Sequence, residues 1–195
     1  MSGYRHHYHW QAISPDLTNG SGGGNLTFGT LYSFDVSTLD SNVIITGADD
    51  GTLSLTTDGG GNWTTISADL PDRWVTKVLA SRFDAQTFYV TFSGYRFGED
   101  NGHVYKTTDN GANWTDIGTS LPDIPVNDIV QDAWGILFLA TDVGVLASDD
   151  EGANRGETQQ LVGPSRILGS LFDAHLSRDC HGFRIAPTRF AAGRP

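Results

Sequence analysis

A chain of 195 residues is long enough for one sizeable domain, burying roughly 70% of its unfolded surface. Its formal net charge is −11, from 23 acidic against 12 basic side chains, which excludes a nucleic-acid partner because a phosphate backbone needs a basic footprint. The same charge disfavours anionic membrane surfaces, and no apolar run long enough for a membrane span occurs.

The chain begins MSGYRHHYHW, which has no apolar core and does not read as a signal peptide. RHHYH at 5–9 would put His7 and His9 on one strand face. Zinc takes three or four ligands and no partner cluster follows, so a surface or strand-end cluster is expected, with no metal and no cofactor. HWQAIS reads as a strand, followed by the Gly-rich insert TNGSGGGNLTFG at 18–29. Short segments rich in β-branched and aromatic residues then recur. FGTLYSFDV, NVIITG, TLSLTT and NWTTIS give four strands. WVTKVLA, TFYVTF, HVYKTT and NWTDIG give four more, and PVNDIVQ, ILFLAT and GVLASD give three. Helical periodicity is absent through residue 150.

The strands belong to a repeat. Trp10, Trp63 and Trp114 each open Trp-x-x-Ile followed by a leucine near an aspartate, at spacings of 53 and 51 residues. Ahead of the second and third tryptophans stands a box: Thr56, Asp58, Gly60 and Trp63, then Thr107, Asp109, Gly111 and Trp114. A third copy has Ser148, Asp150 and Gly152, but Arg155 where the tryptophan should be. Four short strands per repeat of about 40–50 residues is the signature of a β-propeller blade. The fold class expected is therefore all-β, a partial propeller of about three four-stranded antiparallel blades over residues 1–154.

The box has a structural explanation. An aspartate can accept backbone N–H bonds a few residues on and lock a turn. A glycine permits positive φ, and the tryptophan buries a large ring. One carboxylate is too few for calcium.

The pattern Ser/Thr-x-Asp-x-Gly-x-x-Trp resembles the Asp-box, or BNR repeat, of sialidase-like propellers. ISPDL and LPD are similar to segments of bacterial BNR-repeat proteins labelled glycosyl hydrolases and of sortilin-type propellers. The resemblance implies that the box is the turn between a blade's third and fourth strands, and that ligands use the other end. It implies an extracytoplasmic location, with the signal outside this chain. Hydrolases, receptors and assembly factors share the box, so it does not choose an activity.

The end opposite the boxes would carry Asp49 and Asp50, the loop Ser93–Gly102, Asp142, and the links with Asp72, Arg73, Trp74 and Asp123. The long loop holds Tyr95, Arg96, Phe97, Glu99 and Asp100. Arg73, Trp74, Tyr95, Arg96 and Phe97 suit stacking and hydrogen bonding to a glycan or protein ligand. A glycosidase needs two carboxyl groups roughly 5–10 Å apart, for which Asp50, Glu99, Asp100 and Asp142 are candidates. A sialidase, by resemblance, needs an arginine triad, and through residue 150 the arginines are only Arg5, Arg73, Arg82 and Arg96. The lead expectation is a carbohydrate- or protein-binding module. The alternatives are a glycoside hydrolase fragment and an assembly propeller.

Past residue 154 the repeat stops. Residues 155–195 contain no lysine, tryptophan or tyrosine, and hold the single cysteine, Cys180. Two accounts compete: a separate tail with helical spacing in SRILGSLFDAHLSRD, or a lost reading frame. Poor order is expected there. Three blades leave open edges, so further blades are expected in cis or by oligomerisation. Sequons at Asn19, Asn25, Asn62 and Asn113 bear only on a eukaryotic secretory route.

Overall fold

The computed structural model describes residues 10–20 and 29–151. The described residues all belong to one compact unit, Met1–Arg155. The histidines at 7 and 9, Gly152 of the third box, Arg155, Cys180 and the whole tail lie outside the described residues, and so do the expectations made for them.

Three antiparallel sheets follow one another along the chain. The first comprises β1 (Leu31–Val36), β2 (Ile44–Ala48), β3 (Leu53–Thr56) and β4 (Thr64–Thr65), in that spatial order. The second repeats it with β5 (Trp74–Ala80), β6 (Phe88–Ser93), β7 (His103–Thr107) and β8 (Thr115–Asp116). The third has β9 (Val126–Gln131), β10 (Leu137–Thr141) and β11 (Gly144–Ser148). These are the blades of a partial β-propeller. Nine of the eleven strands fall inside segments expected from the sequence, and β2 and β6 each run one residue past theirs, to Ala48 and Ser93.

The sheets stack face to face. One apolar core joins blades one and two through Ile45, Leu53, Val75, Val78, Val90 and Phe92. Another joins blades two and three through Tyr89, Val104, Val126, Ile129 and Leu137. The middle blade is covered on both faces, so every residue of β6 is buried. That double burial is why FYVTFS reads as a nearly continuous apolar run rather than an alternation. In β1 only Ser33 is buried, while Tyr32 and Phe34 are exposed. The innermost strands are also tied directly. Val78 N–H donates to Ser33 Oγ at 3.1 Å and Ala80 N–H donates to Asp35 Oδ2 at 2.9 Å. Arg82 N–H donates to Gln131 Oε1 at 3.0 Å across the next interface.

The box turns join β3 to β4 and β7 to β8. Thr56 Oγ1 donates to Asp58 Oδ1 at 2.8 Å and accepts Gly60 N–H at 3.0 Å. Asp58 accepts the backbone N–H of Asn62 at 2.8 Å and its side-chain amide at 2.7 Å. Thr107, Asp109, Gly111 and Asn113 repeat all four bonds, each within 0.1 Å. In the third copy Ser148 Oγ donates to Asp150 Oδ1 at 2.8 Å. The Asn62 bonds, with Thr56 adding to them, pull the Asp58 carboxyl down to about 2. These aspartates are turn locks.

The tryptophans bind neighbouring repeats together. Trp114 Nε1–H donates to Ile66 O at 2.9 Å, and Trp63 Nε1–H donates to Ile13 O at 3.0 Å. Ile13 thus stands to blade one as Ile66 stands to blade two. The strand expected over HWQAIS is not formed by residues 10–14. A strand needs a ladder partner, and none of the described strands pairs with this segment. Its carbonyl nonetheless holds the place of a preceding blade's outer strand.

Candidate functional site

Turns of a meander alternate between the two ends of its sheet. The box turns share one end with the β1–β2 and β5–β6 turns: Gly59 N–H donates to Asn42 O and Asn110 N–H to Gln86 O. The opposite end carries the β2–β3 turn, the β6–β7 loop, the β10–β11 turn and the links between blades. All the loop-end residues singled out from the sequence lie there.

The β6–β7 loop is built rather than slack. Residues Tyr95–Phe97 form a short 3-10 turn closed by Gly98 at φ 73°. The sequence did not announce this helical turn, because three residues are too few for any periodicity. Gly94 allows the chain to fold back, since a Cβ there would stand 2.7 Å from the Cβ of Glu99. Arg73, from the link into β5, reaches over to the same loop. Its Nε–H donates to Glu99 Oε2 at 3.0 Å and its terminal nitrogen pairs with Glu99 Oε1. Its remaining nitrogen donates to Asp72 O at 2.8 Å, and its guanidinium lies 4.3 Å from the Phe97 ring centre. His103, opening β7, brings its Nε2 to 3.5 Å from Glu99 Oε2, too long for a sound hydrogen bond. The Arg73 bonds hold the Glu99 carboxyl below its ordinary range, against an upward push from burial.

A second stack stands beside this pair. The Arg96 guanidinium lies 4.3 Å from the Trp74 ring centre. Tyr32, from blade one, meets Trp74 edge to face at 4.9 Å. Arg96 itself has no hydrogen bond or ion pair among the described residues, and the buried Trp74 Nε1–H has no hydrogen-bond acceptor there. Tyr95 and Phe97 are largely exposed. The structure therefore brings Arg73, Trp74, Arg96, Phe97 and Glu99 together, with Tyr95 on the adjoining surface. Tyr32 and His103 join them without any signal in the sequence. Tyr32 comes from another repeat, and a contact between repeats leaves no trace in local spacing.

Asp49, Asp50 and Asp142 are engaged in hydrogen bonds. Asp49 accepts Thr30 N–H at 2.6 Å, and Asp50 accepts Asn19 N–H at 2.7 Å and Thr52 N–H at 3.0 Å. Asp142 accepts the Asn127 side-chain amide at 2.8 Å. A general acid works with a raised carboxyl value, and Glu99 is shifted the other way. Asp100 is exposed at the loop's end. Among the described residues no group of three or more histidine, cysteine, aspartate or glutamate side chains forms a metal cluster. No described helix is long and apolar enough to cross a membrane.

No protein-family model matches the chain, and no curated protein does. Among solved structures it is similar to an ancestral GH74 enzyme, at 20% identity and TM-score 0.49, covering 63% of this chain and 17% of that one. It is also similar to YCF48 from Cyanidioschyzon merolae, at 20% identity and TM-score 0.49, covering 65% and 38%. A GH74 enzyme of Niastella koreensis gives 20% identity, TM-score 0.47, and coverage of 67% and 18%. The chain thus spans well under half the length of each. Likeness at this level concerns architecture and carries no functional argument.

Proposed function

We propose that the chain is a binding module of a larger extracytoplasmic propeller, and that its loop end takes a peptide or protein segment. The segment presents a carboxylate beside an apolar side chain. The observation that carries this reading is Arg96, stacked on Trp74 and exposed, with no partner of its own among the described residues. A guanidinium seated over an indole ring still has N–H donors to offer a bidentate carboxylate. Tryptophan, tyrosine and arginine are also the residues in which binding energy concentrates. Arg73 supports the platform, because its pairing with Glu99 fixes the loop from which Arg96 projects.

Peptide display against the full chain tests this. Selected sequences should share an acidic residue, or a free C-terminus, next to a large apolar residue. Binding should weaken at least tenfold in Arg96→Ala and in Trp74→Ala. Peptides that bind both variants as well as the parent would remove the proposal. Release of reducing sugar from a polysaccharide, abolished in Asp100→Asn or Asp142→Asn, would put the hydrolase reading in its place. Binding to a glycan array that is lost in Trp74→Ala would make the loop end a carbohydrate site instead.

A further inference from the structure

The box end carries a cavity of about 490 Å³, lined by blades two and three. Strand register equates its wall with positions in blade one. Ile45 pairs with Leu55, and in the next blade Tyr89 pairs with Lys106, each pair one step from the box threonine. Ile45 and Leu55 belong to the apolar core of the first interface. Their counterparts in the second blade are a phenol and an ammonium group.

A third departure lies in the box itself. The residue after the box aspartate is Gly59 in the first copy, Asn110 in the second and Glu151 in the third. Their φ values are 73°, 59° and 57°. Glycine suits this conformation and asparagine tolerates it, whereas glutamate rarely adopts it. The three departures meet one another. Tyr89 Oη–H donates to Glu151 Oε1 at 2.5 Å, and Lys106 Nζ donates to Glu151 Oε2. Burial pushes the Tyr89 hydroxyl up, so it stays a donor. Burial also pulls the Glu151 carboxyl upward, but the bonds from Lys106 and Tyr89 outweigh it and leave the group lowered. An unfavourable backbone persists where its surroundings over-determine it, and such positions gather at functional sites.

Two aromatics stand at the rim. Trp134, in the β9–β10 turn, is 72% exposed, and Phe83, in the β5–β6 turn, is 58% exposed. The wall between them mixes donors and acceptors. Lys106 uses one of its three N–H bonds on Glu151, and Asp84 and Asp149 offer carboxylate oxygens.

We propose that this cavity binds an uncharged carbohydrate, a neutral pyranose or the end of a short glycan. Each sugar hydroxyl both donates and accepts, which matches a wall of both kinds. The C–H face of a pyranose packs on an exposed indole, whose ring face is electron-rich. The volume lies in the range of small-ligand sites. Four carboxylates (Asp84, Asp149, Asp150 and Glu151) against one lysine repel an anionic sugar. The proposal is independent of the loop-end reading, since it concerns the opposite end of the sheets.

The test applies the full 195-residue chain to an array of neutral, sialylated and sulfated glycans, with spermidine as a cationic control. The best neutral ligand is then titrated calorimetrically into two variants. Trp134→Ala removes an exposed platform and leaves the core intact. Tyr89→Ile/Lys106→Leu/Glu151→Gly restores the first repeat's residues at all three positions. Neutral glycans alone should bind, and Kd should weaken at least tenfold in both variants while cooperative urea unfolding is kept. Binding in Trp74→Ala should match the parent, which separates this site from the loop end. The proposal is overturned if no neutral glycan binds, if spermidine or an anionic glycan binds instead, or if Trp134→Ala binds like the parent. Should the triple variant not fold, Trp134→Ala and the exposed Asp149→Asn decide by the same tenfold criterion.

Discussion

Gly111→Ala isolates the close approach of one repeat to the next. Gly111 is buried at φ 82°. A Cβ there would stand 2.7 Å from Ile66 Cβ and 2.8 Å from Ile66 Cδ1. Ile66 cannot retreat freely, because its carbonyl accepts the Trp114 indole N–H. Two costs add. Placing alanine in the left-handed region costs about 1 kcal/mol. Overpacking a filled contact costs about 1–3 kcal/mol more. The sum, about 2–4 kcal/mol, is a large share of a stability of about 5–15 kcal/mol. Gly98→Ala is the control. It has φ 73°, yet a Cβ there would meet nothing within 4 Å, so only the first cost, about 1 kcal/mol, applies. Urea unfolding of both variants, followed by far-UV circular dichroism, measures the difference through the midpoint at constant slope. Ile66→Val, which removes Cδ1, should recover part of the loss in the Gly111→Ala background. Equal losses in Gly111→Ala and Gly98→Ala would refute the packing argument and leave only the backbone term.

Three further outcomes are expected. The folded Asp58 carboxyl, lowered to about 2, lies below its unfolded value of about 4. Its stabilisation is therefore complete above the unfolded value and lost as pH falls through about 2. Asp109 is lowered too, by the Asn113 side chain first. Asp58→Asn/Asp109→Asn should flatten the acid limb of the stability curve, and an unchanged limb would count against the turn-lock role. Trp114→Phe leaves Ile66 O without its indole donor and should cost about 1–3 kcal/mol in the same urea assay, whereas a neutral effect would mean that the bond is dispensable. Glu99→Gln weakens the Arg73 clamp, so amide exchange across 94–102 should accelerate while the blade cores stay protected. Uniform exchange in both regions would show that the ion pair does not hold the loop.

The order of strands, the repeat and the turn-lock role of Asp58 and Asp109 were legible in the sequence. Strand order and turn lock depend on residues within about ten positions of one another, where alternation, glycine placement and threonine–aspartate spacing act directly on the backbone, and the repeat is the same local pattern recurring about fifty residues on. The loop-end candidates were legible as a set, since strict alternation of turns sends Arg73, Trp74 and the 93–102 loop to one end. What they do to each other was not. The clamp of Arg73 on Glu99 and the seat of Arg96 on Trp74 join segments more than twenty residues apart, and Tyr32 enters from a neighbouring blade. The expectation that ligands use the end opposite the boxes rested on the resemblance, not on any contact between repeats. Only the tertiary structure sets Glu151, at the third box, against Tyr89 and Lys106 from another blade. Local sequence governs local backbone, while the faces that meet between blades are chosen by sheet stacking, which brings together residues that no spacing along the chain connects.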